Sequence, residues 1–115
     1  MYNKKAMNEL KKLLLREFPE IIDKIILFGS RAENRENNYS DYDLLLILNK
    51  TYDWKLLKKI KYASFDISLD YDILTDINFI SKTEINSIKG ELPFIQEALS
   101  KGLVIWHYLM RLVRF

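Results

Sequence analysis

Asp41 and Asp43 are separated by one residue and open the apolar run DYDLLLIL (41–48). In a strand alternate side chains project from one face, so both carboxylates would lie on one side, about 6–7 Å apart along the backbone. Charges at the rim of a hydrophobic core are costly unless compensated, and a divalent cation is the obvious compensator. Two such carboxylates suit one Mg²⁺, or a pair about 3.5–4 Å apart as in two-metal phosphoryl transfer. Magnesium takes oxygen ligands and keeps positions open for substrate phosphates. Gly29 and Ser30 follow the apolar run KIILF (24–28). The glycine would let the backbone approach a phosphate, and the following N–H groups with the Ser30 hydroxyl would cradle it. Arg31 is a further candidate for a phosphate contact, with an ion pair to Glu33 or Glu36 as the alternative.

A third carboxylate is offered by DISLDYDI (66–73), which alternates strictly. Read as a strand, it turns Ile67, Leu69, Tyr71 and Ile73 one way and Asp66, Ser68, Asp70 and Asp72 the other. Either Asp70 or Asp72 would then reach the metals, and the period alone does not choose.

These residues need elements to hold them. Residues 4–17 read as a helix with Met7, Leu10, Leu13 and Leu14 as its apolar stripe, Asn3 as cap and Pro19 beyond its end. A short strand covers 24–28, SRAEN (30–34) reads as a helical turn, and 35–40 as a polar loop. The run at 41–48 is apolar on both faces and predicts a central strand covered on both sides. A second helix is expected over 52–64, with Leu56, Leu57, Ile60 and Ala63 inward. Its Lys55, Lys58, Lys59 and Lys61 read as a solvated surface. Pro93 begins a third helix carrying Phe94, Ile95, Ala98 and Leu99, Gly102 ends it, and LVIW (103–106) is a last strand. The pattern predicts an α/β (α+β) fold, a small mixed sheet with helices packed against it, in one domain over 1–115.

Composition narrows the chemistry. The 115 residues are 49% hydrophobic, enough for a real core. No cysteine occurs, which excludes disulfides, zinc–thiolate sites and cysteine nucleophiles. His107 is the single histidine, so a multi-histidine metal site is impossible. The three glycines, at 29, 90 and 102, form neither GxGxxG nor a P-loop. With a net charge of +2 and both signs interspersed, composition argues neither for nor against nucleic-acid binding, and no direct binding of nucleic acid is expected of this domain. The amphipathic N-terminus and the lack of a run of about 20 apolar residues predict a cytoplasmic protein without a membrane span.

Gly29-Ser30, ten residues, then Asp41-Tyr42-Asp43 resembles the GSx10DxD signature of the polymerase-β-type nucleotidyltransferase superfamily. FGSRA and SDYDLLL are similar to the core of its smallest branch, the minimal nucleotidyltransferase domains. YDILT resembles the strand carrying the third aspartate, and ELPFIQEALSKGLVIW the closing helix and strand. Where the family commonly has Arg-Gly after GSRA, this chain has Glu33-Asn34; asparagine tolerates the left-handed backbone such a turn needs. The tail HYLMRLVRF (107–115) matches nothing in the family pattern.

The resemblance implies a polymerase-β-type fold and an Mg²⁺-dependent enzyme, with two ions per site, that moves AMP from ATP onto a hydroxyl. It implies Asp41, Asp43 and Asp72 as metal-binding and catalytic residues, Asp72 being preferred to Asp70 because it directly precedes ILT. Gly29, Ser30 and Arg31 would bind the nucleotide. Stand-alone minimal domains resemble antitoxins that adenylylate a tyrosine of a HEPN-family ribonuclease toxin. The implied partners are therefore ATP and such a toxin, in a homo- or hetero-oligomer. The alternatives are an antitoxin acting by binding alone and a small-molecule adenylyltransferase.

Overall fold

Ala6, Met7, Leu10 and Leu14 recur at helical spacing and are buried together, which fixes the first helix, α1 (Lys4–Glu17). Its N-cap is Asn3, whose side-chain oxygen accepts the Ala6 N–H at 3.0 Å. The computed structural model describes residues 2–34 and 41–108. The polar loop expected at 35–40 and the tail from 109 onward lie outside the described residues.

The strands are β1 (Ile22–Phe28), β2 (Tyr42–Leu48), β3 (Thr75–Ser81) and β4 (Leu103–His107), in the spatial order β3-β2-β1-β4. β1 runs antiparallel to both β2 and β4, whereas β2 and β3 are parallel. A parallel pair needs a crossover, and α2 (Trp54–Tyr71) supplies it. Leu44 to Leu48 are all buried, as a central strand covered on both faces requires.

Alternation divides the core into two layers. Ile25, Leu27, Leu44, Leu46, Leu48, Ile77 and Phe79 pack under α1 and α2. Ile26, Phe28, Leu45, Ile47 and Ile80 face Ile95 and Ala98 of the third helix, α3 (Pro93–Lys101). Pro93 stands in its first turn and Gly102 is its C-cap, both as expected. Phe94 and Leu99 are partly exposed because α3 turns only its Ile95/Ala98 stripe to the sheet. Among the described residues no helix is long and apolar enough to cross a membrane.

One expected element is overturned. Residues 66–71 belong to α2 and not to a strand. Ile60, Ser64, Ile67 and Tyr71 recur at steps of four, three and four and pack into the core, a helical stripe that wins over the two-residue alternation. Leu69, placed inward by the alternation, is 64% exposed. Extending the helix moves the strand to 75–81, whose β-branched and aromatic Thr75, Ile77, Phe79 and Ile80 suit a pleated, half-buried surface.

Candidate active site

The C-terminal end of β1 and the N-terminal ends of β2 and β3 meet at one edge of the sheet. Phe28 pairs with Asp43 across the antiparallel ladder, and Asp43 pairs with Asp76 across the parallel one. Asp43 shares a face of β2 with Leu45 and Ile47, and Asp76 shares a face of β3 with Ile80. Both carboxylates are therefore on the α3 side of the sheet. Asp41 lies two residues before Asp43, immediately ahead of β2, and is exposed. Burial pushes the Asp43 carboxyl above its ordinary value, and the negative charges of Asp76, Asp41 and Glu97 of α3 push it further the same way. Like charges gathered at a half-buried carboxylate describe a place where a cation would be welcome.

Gly29 ends β1 with φ +75°. A Cβ there would stand 2.3 Å from Asp43 Oδ2, so only glycine leaves room for this carboxylate, and only glycine takes that backbone cheaply. The chain then makes a single helical turn, with the Glu33 N–H donating to the Gly29 carbonyl at 3.2 Å. Ser30 opens that turn. Asn34 has φ +59°, the left-handed conformation expected of it where the family commonly carries glycine.

Arg31 lies with its guanidinium carbon 4.6 Å from the centre of the Tyr42 ring. Tyr42 is buried, and its hydroxyl accepts the Asn3 N–H at 2.9 Å. The start of α1 thus braces the residue between the two aspartates, and that residue carries the arginine on its ring.

Asp70 and Asp72 are not where the alternation puts them. Asp70 is an exposed residue of α2. Asp72 is the C-cap of α2, left-handed at φ 51° and ψ 50°, with its N–H donating to the Ser68 carbonyl. Neither is on a strand. The carboxylate that the fold sets beside Asp43 is Asp76, which the sequence reading missed. Its signal was present: the left-handed-tolerant Asp72 reads as a helix stop, and TDINFI after it has strand-forming residues in alternation. Glu97, on the inward side of α3, was missed as well.

Among the described residues no group of three or more His, Asp or Glu side chains is arranged so as to hold a metal ion. Magnesium does not require one. It is commonly held by one or two carboxylates together with substrate phosphates, and Asp43 with Asp76 or Asp41 offers that all-oxygen donor set.

A family model described as a nucleotidyltransferase domain matches residues 7–95, and the chain belongs to that family. A Methanocaldococcus jannaschii protein provisionally named a protein adenylyltransferase (MJ0141) is 32% identical over 86 residues, spanning 75% of this chain and 87% of its own length. Solved structures share the fold. The toxin–antitoxin MntA-HepT superposes with a TM-score of 0.62 at 18% identity, covering 95% of this chain and 76% of that one. A toxin–antitoxin with AMP-PNP gives 0.64 at 18% identity, covering 96% and 77%. A tri-AMPylated Shewanella oneidensis HEPN toxin in complex with its MNT antitoxin gives 0.58 at 17% identity, covering 95% and 76%. The protein is a nucleotidyltransferase with the polymerase-β-type fold, as its GSx10DxD residues implied.

Proposed function

We propose that this domain transfers AMP from ATP to a hydroxyl of a protein acceptor, a tyrosine of a HEPN-family toxin, and thereby acts as an antitoxin. The observation that carries the reading is the gathering of Asp41, Asp43 and Asp76 beside a glycine turn that only Gly29 permits. The AMPylated toxin bound to the structurally similar MNT antitoxin supports the choice of acceptor.

In this reading Gly29 and Ser30 hold the terminal phosphates and orient the α-phosphorus for in-line attack. Asp41 and Asp43 hold Mg²⁺, which when bound neutralises charge developing on the triphosphate. Asp76 takes the third carboxylate's role, expected of Asp72, because it is the neighbour of Asp43 across the parallel ladder. The acceptor oxygen bonds to the α-phosphorus, the bond to the bridging oxygen breaks, and pyrophosphate leaves. Asp76 takes the acceptor proton and releases it to solvent.

The test is label transfer from ATP carrying ³²P at either the α or the γ position, in the presence of Mg²⁺ and a purified HEPN toxin. Label from the α position alone on the toxin is expected. Toxin inhibition without any label would leave a binding-only antitoxin, and label on small molecules alone would mark a small-molecule enzyme.

A further inference from the structure

The crossover helix α2 is apolar on two sides. Ile60, Ser64, Ile67 and Tyr71 face the core, while Trp54, Tyr62, Phe65 and Leu69 are 67%, 68%, 58% and 64% exposed. At about 100° per residue these four and Lys58 fall within an arc of about 80°, turned away from the buried stripe. Trp54, Leu57, Lys58, Lys61 and Tyr62 line a groove of about 320 Å³. Lys58 holds its ammonium over the Trp54 and Tyr62 rings, 5.8 and 5.6 Å from their centres. A helix with one apolar face is satisfied by its own domain, and a second such face asks for another partner.

The order of charges along α2 decides among partners. Lys55 and Lys59 stand in its N-terminal half, Asp66 and Asp70 in its C-terminal half, and all four are exposed. Around the helix they share an arc of about 60° that flanks the exposed stripe. Within one copy this order is unfavourable. Lys55 in the first turn and Asp70 in the last oppose the helix dipole, and each like-charged pair is four residues apart, where the two charges repel. Among the described residues, none of the four is in an ion pair. An acidic partner would meet Asp66 and Asp70, a basic one would meet Lys55 and Lys59, and a nucleic acid would meet the two aspartates. The partner that answers both halves carries the same charges in reversed order, and an antiparallel second copy of α2 is that partner.

We propose that two copies of this chain associate through the outer faces of α2, antiparallel about a two-fold axis beside Ala63. An axis perpendicular to the helix pair brings the same flank of each copy together. In one register Lys55 then lies across from Asp70 of the second copy, and Lys59 across from its Asp66. The same register sets Tyr62 beside Phe65 of the second copy and turns that copy's Phe65 and Leu69 toward the groove lined by Trp54, Lys58 and Tyr62. These pairings agree to within about one residue, or about 1.5 Å along the helix, which lysine side chains span. α2 packs on the sheet face opposite Asp43 and Asp76, so association leaves both candidate active sites open and turned outward. The association stands or falls separately from the transfer reading.

The test is sedimentation equilibrium of the full chain, with Lys55→Glu/Lys59→Glu and Asp66→Lys/Asp70→Lys as paired variants. The wild type is expected to be a dimer at about 100 µM. Either variant alone sets like charges against like across the helix pair and should raise the dissociation constant at least about 100-fold. An equimolar mixture of the two variants restores opposite charges at both ends and should form a one-to-one heterodimer of nearly wild-type affinity. Lys55→Glu and Asp70→Lys place charge where the helix dipole favours it, so the variants should keep the fold. Recovery in the mixture excludes misfolding as the cause of dissociation. A monomeric wild type, a dimer that neither variant weakens, or a mixture that stays monomeric would each overturn the proposal. In a monomeric wild type, a blue shift of exposed Trp54 on adding a helical peptide with a Leu stripe flanked by Glu, or a single-stranded RNA, would give the face to that partner instead.

Discussion

Asp43 occupies the space that Gly29 leaves: a Cβ at Gly29 would lie 2.3 Å from Asp43 Oδ2. The turn at the end of β1 and the central carboxylate of β2 are therefore one unit, and Gly29 cannot take a side chain while the Asp43 carboxylate keeps its place.

Gly29→Ala should damage both halves of that unit. The left-handed backbone costs an alanine about 1–2 kcal/mol, and the added methyl drives the carboxylate from its place. Urea unfolding should show the stability loss, and AMP transfer should fall by more than that loss explains. A variant as active and as stable as the wild type would mean that Gly29 and Asp43 do not share the space described.

Asp43→Asn should stabilise the metal-free protein at pH 7. Folding raises the Asp43 pKa, by burial first and then by Asp76, Asp41 and Glu97, so ionising this group disfavours the native state. Stability attributable to the protonated form is complete below the ordinary value of 3.8 and is lost as pH rises through the raised value. The advantage of the asparagine is therefore largest at neutral pH and vanishes at low pH. Thermal unfolding in EDTA across this range checks it, and a wild type more stable than the variant at pH 7 would reverse the sign argued here.

Asp72→Asn should stabilise the domain slightly. Asparagine keeps the tolerance for φ 51° while a negative charge is removed from the C-terminal end of α2, worth about 0.3–1 kcal/mol at low ionic strength. The gain should shrink as salt is added. A loss of stability on this substitution would show that the Asp72 carboxylate makes a contact on which the fold depends.

Much of this architecture is written locally. The Asn3 cap, the stripe of α1, Pro93 and Gly102 around α3, and the uninterrupted run of β2 each carry a short-range signal that tertiary contacts do not oppose. The GSx10DxD spacing is equally local, and the fold sets Gly29 against Asp43. The third carboxylate is different. Residues 66–73 satisfy a two-residue and a helical period at once, and only the burial of Ser64, Ile67 and Tyr71 against the sheet decides for the helix. Pairing Asp76 with Asp43 depends on the register of a parallel ladder closed by an 18-residue crossover helix, which no short stretch encodes.

The central claim is that Asp41, Asp43 and Asp76 together perform the transfer. A carboxylate that takes the acceptor proton acts in the transition state more than in nucleotide binding, so its loss lowers turnover more than ATP affinity. The most direct measurement is the rate of ³²P-AMP transfer to the HEPN toxin by Asp76→Asn and Asp72→Asn, run beside an ATP-binding titration of each. The account predicts that Asp76→Asn binds Mg²⁺-ATP but loses nearly all transfer, while Asp72→Asn transfers at the wild-type rate. An active Asp76→Asn beside an inactive Asp72→Asn would contradict it.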